Sequence, residues 1–203
     1  MQDDLLIRRA QRGEADAFEQ LLLEHQKNVY NLCYRMAGNP DDALDLSQET
    51  FLRAWRCLDQ YQFASSFSTW LYRLCSNLCI DFLRRRRRQQ TVPLTFEDGD
   101  GDEQTLPLPD PAPGPEELAE LTLTRDALIA AMAQLLPEHR TILELRVCEQ
   151  LPYEQIADIL DIQVGTVKSR LSRARTQLKK ILERGNLSAA ASSEFLKGEV
   201  GAK

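Results

Sequence analysis

Residues 153–182 read YEQIADILDIQVGTVKSRLSRARTQLKKIL, and this stretch decides the fold of the second half of the chain. Apolar residues at helical spacing predict a short helix over Tyr153 to Leu160, with its inward side formed by Ile156, Ile159 and Leu160. Asp161 to Gln163 predict a turn, and a longer helix is predicted to begin near Val164. Two helices joined by so short a turn are typical of a helix-turn-helix.

The longer helix has two chemically distinct sides. Its apolar residues fall within a stripe of about 100° at the helical period, and they are Val167, Leu171, Ala174, Leu178, Ile181 and Leu182. The opposite side, where a recognition helix faces the major groove, carries Ser169, Ser172, Arg173 and Thr176. Flanking positions within reach of phosphates are Lys168, Arg170, Arg175 and Lys179. Arg173 is the best candidate for a bidentate contact to guanine.

A solvated cationic surface helix is the alternative for this segment. Between Lys168 and Lys180 there is no Asp or Glu to form the usual surface pairs one turn apart. The short helix and turn that precede it also favour DNA binding.

The charge distribution agrees with a polyanionic partner, although the net charge of the chain is −6. Residues 91–124 contain nine acidic residues and no Lys or Arg, so the rest of the chain carries +3. Basic residues cluster in Arg84 to Arg88 and in Lys168 to Lys180, as an electrostatic footprint for nucleic acid would.

The sequence predicts an all-α protein with two small helical domains. Residues 1–90 form the first domain, and 91–116, with six prolines and most of the nine acids, form an extended, flexible linker. Residues 117–184 form the second domain, and the Ala- and Ser-rich tail 185–203 is predicted to be disordered. Within the second domain, Pro137 and Pro152 sit where a first-turn proline opens a new helix.

The first domain is predicted to contain three helices. The first runs from Asp16 to Gly38, and the second is capped by Asn39 and runs to about Leu58. Gln60 to Ser68 are predicted to form a loop, and Thr69 is predicted to cap a third helix that includes the arginine run. One face of that helix is apolar, with Leu71, Leu74, Leu78 and Phe82, and the opposite face carries Arg73, Asn77, Asp81, Arg84 and Arg88.

Several motifs resemble one protein family. The segments LPEHR (136–140), YEQIA (153–157) and VGTVKSRLSRAR (164–175) closely resemble region 4 of the extracytoplasmic-function sigma factors of bacterial RNA polymerase. DLSQETFLRAW (45–55) resembles sigma region 2.2, and FSTWLYR (67–73) with Asn77 resembles regions 2.3 and 2.4. The order and spacing of these motifs agree across about 14–184.

The resemblance implies two partners, core RNA polymerase and promoter DNA. The polymerase, through its beta-prime and beta subunits, is expected to contact Asp45, Gln48, Glu49 and Arg53. The minus-10 element is expected to contact Phe63, Ser65, Ser66, Phe67, Arg73, Asn77, Arg84, Arg85 and Arg88. The minus-35 element is expected to contact Lys168, Ser169, Arg170, Ser172, Arg173, Thr176 and Lys179. An anti-sigma factor is a further candidate partner, and only through it would the protein meet a membrane.

Other readings of the same residues remain open. An ordinary solvated helix face also explains the polar residues of the 2.2-like segment and Asn77, and cations at the end of a helix explain the arginine run as well as phosphate contacts do. At the level of the whole chain, the alternative is a stand-alone helix-turn-helix regulator that acts without core polymerase.

Enzymatic chemistry is not predicted. No Gly-rich phosphate loop, nucleophile motif or His-Glu metal motif occurs, so neither catalytic residues nor a cofactor nor a small-molecule substrate is expected. Cys75 and Cys79 lie one helical turn apart but lack a third and fourth ligand with zinc-finger spacing. All five cysteines are expected to be reduced, buried thiols, and no metal site is predicted. With no apolar run near the roughly 18 residues that span a bilayer, the expected location is the cytoplasm.

Overall fold

In the computed structural model, the described residues are 2–90 and 128–184, and their regular secondary structure is helical. The helices are α1 (Gln2–Ala10), α2 (Ala15–Ala37), α3 (Pro40–Cys57), α4 (Phe67–Gln90), α5 (128–133), α6 (Pro137–Leu143), α7 (Tyr153–Leu160) and α8 (Val164–Arg184). The predicted all-α fold class and its helix-turn-helix are confirmed. The predicted linker 91–116 and tail 185–203 lie outside the described residues, and the domain boundaries stay predictions.

Local chemistry sets the ends of α2 and α3 as the sequence predicts. Gly38 ends α2 with φ +87, in the left-handed region that glycine adopts without strain. The side chain of Asn39 then accepts a hydrogen bond of 2.8 Å from the backbone N–H of Asp42, and Pro40 is the first residue of α3. The two helices therefore fold back on each other through a two-residue connection.

Helix α1 was not predicted. It packs on α2 through Leu6, Ile7 and Ala10, which are all buried. The side-chain amide of Gln11 donates to the carbonyl oxygens of Leu58 and Tyr61, each at 2.9 Å. These bonds fix the end of α1 against the loop that follows α3.

The predicted start of α4 was wrong. The helix begins at Phe67, and the side-chain oxygen of Ser66 accepts a hydrogen bond of 3.1 Å from the backbone N–H of Thr69. Thr69 is buried, and its hydroxyl lies 2.8 Å from the hydroxyl of Ser66. The capping position therefore belongs to Ser66, and the loop is shorter than predicted.

The second helical unit, α5 to α8, follows the predicted order. Pro137 is the first residue of α6 as predicted, whereas Pro152 stands one residue before α7 rather than in its first turn. Asp161 ends α7 in the left-handed region with φ +52 and begins the predicted turn. The inward stripe of α8 is buried at Val167, Leu171, Ala174, Leu178 and Leu182.

The two units pack against each other in a closed arrangement, with α4 lying against α6 and α7. Their buried apolar residues form one continuous core. None of the helices in the described ranges is long and apolar enough to span a membrane.

The expectation that every cysteine is buried was wrong for two of them. Cys148 is exposed and Cys57 is half-buried, because both lie at the ends of helical segments rather than on an inward stripe. Cys33, Cys75 and Cys79 are buried together between α2 and α4.

Candidate functional site

The residues expected to contact polymerase form a polar stripe along the outer side of α3. Asp45, Gln48 and Arg53 are exposed, and Glu49 is half-buried. The Nε atom of Arg53 donates a hydrogen bond of 2.7 Å to Glu49 one turn away. The structure therefore brings all four residues onto one accessible face, which we call the polar stripe.

An apolar groove that sequence reasoning missed runs beside the polar stripe. It has a volume of about 710 Å³ and lies between α2 and α3. Leu44 and Leu52 are each 50% exposed and Trp55 is 39% exposed, which is unusual for large apolar side chains. The groove is completed by Phe18, Leu22, Gln26, Lys27, Tyr30, Ser47, Gln48 and Phe51.

A signal for this groove was present in the sequence. At about 100° per residue, one arc of about 80° on the surface of α3 holds Leu44, Trp55 and Leu52, and this arc lies outside the buried stripe of the helix. Their opposite wall comes from α2, where Phe18 has its ring centroid 4.9 Å from that of Trp55. No pattern within α3 alone shows that this wall exists.

The loop expected to hold a minus-10 base forms one wall of a small pocket. The pocket has a volume of about 390 Å³ and is lined by Asp3, Asp4, Arg8, Tyr61, Phe63, Ser65, Ser66 and Phe67. Phe67 itself is buried against Tyr61 and Trp70, so it supports the pocket more than it projects from it.

Three of these lining residues come from α1 and were missed from sequence. The guanidinium of Arg8 lies 4.6 Å from the ring centroid of Phe63, a cation–π contact. Asp3 and Asp4 add hydrogen-bond acceptors at the same rim. The pocket thus offers an aromatic surface, a cation and carboxylates, which suit the face and edge of a nucleobase.

The face of α4 expected to meet the minus-10 element is partly covered by the second helical unit. Asn77, Arg85 and Arg88 are exposed. Arg73, in contrast, donates two hydrogen bonds to the carbonyl oxygen of Asp158, one of them 2.9 Å long from Nε. Arg84 donates to the carboxylate of Glu138 at 2.6 Å.

The carboxylate of Glu138 responds to that contact. Partial burial alone would raise its pKa, but the hydrogen bond from Arg84 and the nearby positive charge hold the pKa below its ordinary value. Glu138 is therefore ionised in the closed arrangement at neutral pH. Its carboxylate pairs with Arg84, which is predicted to contact DNA.

A more buried ionic cluster joins the two units beside α4. Arg35 pairs with Glu144 at 2.9 Å and with Glu149, and the hydroxyl of Tyr72 donates to Glu149 at 2.5 Å. Burial raises the pKa of Tyr72 well above its ordinary value, and the bond to the Glu149 carboxylate raises it further. Arg140 extends the cluster by donating to the carbonyl oxygen of Arg35 at 2.6 Å.

The reading face of α8, defined as Ser169, Ser172, Arg173 and Thr176, is fully accessible. All four residues are exposed, as are Lys168 and Lys179, while Arg170 is half-buried. The hydroxyls of Ser169 and Thr176 donate to carbonyl oxygens within the helix, and Lys179 forms an exposed pair of 3.7 Å with Glu183. Neither contact obstructs Arg173.

The chain matches two models of one protein family. Sigma-70 region 2 covers residues 21–89, and Sigma-70 region 4 covers residues 125–178. The chain is 32% identical over 176 residues to the ECF RNA polymerase sigma factor SigW of Bacillus subtilis, covering 87% of this chain and 94% of that protein. The chain belongs to the extracytoplasmic-function sigma factors. The family resemblance drawn from the motifs is thereby confirmed.

Other relatives of this sigma factor agree. It is 37% identical over 187 residues to the RNA polymerase sigma-H factor of Pseudomonas aeruginosa, covering 90% of this chain and 94% of that protein. Two solved structures share its fold. CnrH in complex with the cytosolic domain of CnrY has a TM-score of 0.63 at 23% identity, over 91% of this chain and 99% of that one. The sigma factor RpoE in complex with the anti-sigma factor NepR from Bartonella quintana has a TM-score of 0.57 at 24% identity, over 82% and 96%.

Proposed function

We propose that this sigma factor binds core RNA polymerase through α3 and reads promoter DNA through α4 and α8, and so directs transcription initiation in the bacterial cytoplasm. The observation that carries the proposal is that one chain of this family presents both an apolar groove edged by a polar stripe and an exposed helix-turn-helix reading face. A stand-alone helix-turn-helix regulator is disfavoured, because the family match covers the first helical unit as well as the second.

The groove and the polar stripe together have the anatomy of a protein–protein interface. Such interfaces combine an apolar centre that contains aromatic anchors with a polar rim that fixes orientation. Trp55 and Leu52 supply exposed apolar area, and Asp45 and Arg53 supply charges of both signs beside it. We propose that an amphipathic helical surface of polymerase occupies the groove while the polar stripe pairs with its charged edge.

The two DNA-reading surfaces are proposed to act on different parts of the promoter. On α8, Arg173 suits a bidentate contact to guanine in the major groove of the minus-35 element, and Lys168 and Lys179 suit phosphates. On the first unit, Asn77 and the pocket that includes Phe63 suit an unstacked minus-10 base.

The closed arrangement has to open for this function. The guanidinium N–H groups that Arg73 donates to Asp158 and that Arg84 donates to Glu138 are not available to minus-10 DNA while these contacts last. We propose that polymerase binding separates α4 from α6 and α7. An anti-sigma factor that binds the closed arrangement is a proposed further partner, since the sigma factor RpoE of Bartonella quintana shares this fold in a complex with the anti-sigma factor NepR.

The test uses a pair of matched leucine substitutions. Leu52→Lys places a charge in the groove, whereas Leu23→Lys places one on α2 away from the groove, and the two leucines are 50% and 57% exposed. We expect Leu52→Lys to weaken binding to core polymerase at least about 10-fold, equivalent to about 1.4 kcal/mol, and to reduce promoter-dependent transcripts in a reconstituted reaction. Leu23→Lys should leave both unchanged. Equal effects of the two substitutions would contradict the docking proposal.

A further inference from the structure

Three buried thiols from distant parts of the chain meet between α2 and α4. The Sγ atoms of Cys33, Cys75 and Cys79 all lie within 4.8 Å of one another, and those of Cys33 and Cys75 are 3.4 Å apart. All three residues are fully buried. Cys75 and Cys79 are one turn apart on α4, and α2 supplies the third sulfur that their spacing lacks.

The triangle of sulfur atoms has the size that a metal ion requires. An ion about 2.3 Å from each of three sulfurs in one plane places those sulfurs about 4.0 Å apart. The Cys33–Cys75 separation of 3.4 Å is shorter than that value, and the other two separations are at most 4.8 Å. Bringing the Cys33–Cys75 pair to the metal-bound spacing requires its sulfurs to move apart by about 0.6 Å.

The surroundings of the cluster suit an anionic sulfur complex. Arg140 is only 4% exposed, and its Nε atom has no hydrogen-bond partner in the described part of the chain. Its Nη2 atom donates to the carbonyl oxygen of Arg35, two positions from Cys33 along α2. Three thiolates and a divalent ion carry a net charge of −1, so a neighbouring buried cation lowers the cost of holding the complex away from water.

We propose that Cys33, Cys75 and Cys79 form a three-coordinate site for a soft, sulfur-binding metal ion. On binding, three S–H bonds break, three sulfur–metal bonds form, and three protons pass to solvent. Thiolate ligands select soft ions over hard ones. The bound ion joins α2 to α4, and therefore joins one wall of the apolar groove to the helix that carries Asn77.

We expect an ion to reach the site where α6 packs on the first unit. Arg140 bonds to the carbonyl oxygen of Arg35, and the hydroxyl of Thr141 lies 3.9 Å from the sulfur of Met36, so α6 covers the seam between α2 and α4 near the thiols. Movement of the second unit away from α4 uncovers this seam. Loading is then expected to be slow in the closed arrangement and faster when it opens.

The experiment titrates the reduced full-length chain with Cd(II) in the absence of oxygen and follows sulfur-to-cadmium charge-transfer absorption. The double variant Cys57→Ser/Cys148→Ser keeps only the three clustered thiols and alters no residue of the cluster. We expect this variant and the unaltered chain each to bind one Cd(II) with equal affinity. We expect Cd(II) binding to weaken by more than about 100-fold in each of the variants Cys33→Ala, Cys75→Ala and Cys79→Ala. Loss of a residue that only hydrogen-bonds to a metal ligand already weakens binding about 10–100-fold, and loss of the ligand itself should cost more.

Several results would overturn the proposal. The first is the absence of a saturable absorption band in the double variant, which does not depend on how well the alanine variants fold. The second is a band that survives Cys33→Ala in a variant shown by circular dichroism to be folded. The third is tighter binding of Zn(II), which prefers four ligands, than of Cd(II).

Discussion

The two helices predicted to read DNA, α4 and α8, are both rich in arginine, but their surroundings differ. On α8 the reading face points away from the packed core, and Arg173 is exposed. On α4 the corresponding face meets the second helical unit, where Arg73 donates to the carbonyl oxygen of Asp158 and Arg84 to the carboxylate of Glu138. Arg73 and Arg84 of α4 are therefore engaged within the chain, whereas Arg173 of α8 is exposed.

The difference lies in which acceptors the fold brings near each helix. The buried stripe of α8 packs against α6 and α7, and this packing turns the basic side outward. Helix α4 has apolar contacts on one side and the polar edges of α6 and α7 on another, so its arginines find carbonyl and carboxylate oxygens within the chain. The surface predicted to read the minus-35 element is exposed in the isolated chain, whereas on the surface predicted to read the minus-10 element Arg73 and Arg84 are engaged and Asn77, Arg85 and Arg88 are exposed.

The largest expected effect comes from weakening the ionic cluster that holds the units together. Glu149 is 15% exposed and accepts hydrogen bonds from Arg35 and Tyr72. Glu149→Gln should destabilise the closed arrangement by about 1.5–3 kcal/mol, because hydrogen bonds to a charged group contribute about that much. Energy transfer between dyes on the two units should fall, and a single-stranded minus-10 oligonucleotide should bind the free chain more tightly.

The control for this change is Glu19→Gln, which removes the same charge from an exposed position on α2. It should alter neither energy transfer nor oligonucleotide binding. Binding of a minus-35 duplex should be the same in both variants. An unchanged distance between the units in Glu149→Gln would contradict the conclusion that the ionic cluster holds the arginines of α4 away from DNA.

An intermediate effect is expected on the accessible helix. Arg173→Ala should cost about 1–3 kcal/mol at the preferred minus-35 sequence and should relax the preference at one base pair, since a bidentate base contact is lost. Lys179→Ala should instead weaken all sequences alike and lower the slope of salt dependence by about one. Holoenzyme binding to duplexes altered at each minus-35 position measures both changes. A uniform loss for Arg173→Ala would show that the reading face is assigned to the wrong residues.

The smallest effect is a pH dependence of closure at Glu138. Because its pKa is lowered by Arg84 in the closed arrangement, this pair favours closure above the ordinary carboxyl pKa of about 4.3. The contribution is lost as the pH falls through the lower pKa of the closed arrangement. The pair is partly exposed, so the effect should not exceed about 1 kcal/mol. Energy transfer followed from about pH 6 downward should show this step in the unaltered chain, and the step should be absent in Glu138→Gln.

Several helix ends could be predicted because residues close together in the sequence determine them. The cap formed by Asn39, the left-handed end at Gly38 and the turn beginning at Asp161 depend on backbone geometry within a few positions, so the sequence predicts them. The cap of α4 was misassigned because Ser66 and Thr69 can both accept a backbone hydrogen bond, and only the burial of Thr69 decides between them. Helix α1 was missed because it is short, and its burial depends on α2.

The sequence by itself determined the all-α class, the helix-turn-helix and which side of α8 is exposed, because helical periodicity and capping are local properties, and its motifs indicated the family. That the exposed side of α8 reads DNA stays a prediction. The tertiary structure decided which side chains meet. Cys33 and Cys75 are 42 positions apart, and Arg73 and Asp158 are 85 apart. Contacts between separate helices create four features: the α2 wall of the groove, the α1 side of the pocket at Phe63, the thiol cluster and the covering of α4. Such contacts depend on how whole helices pack, and no spacing along one helix encodes them.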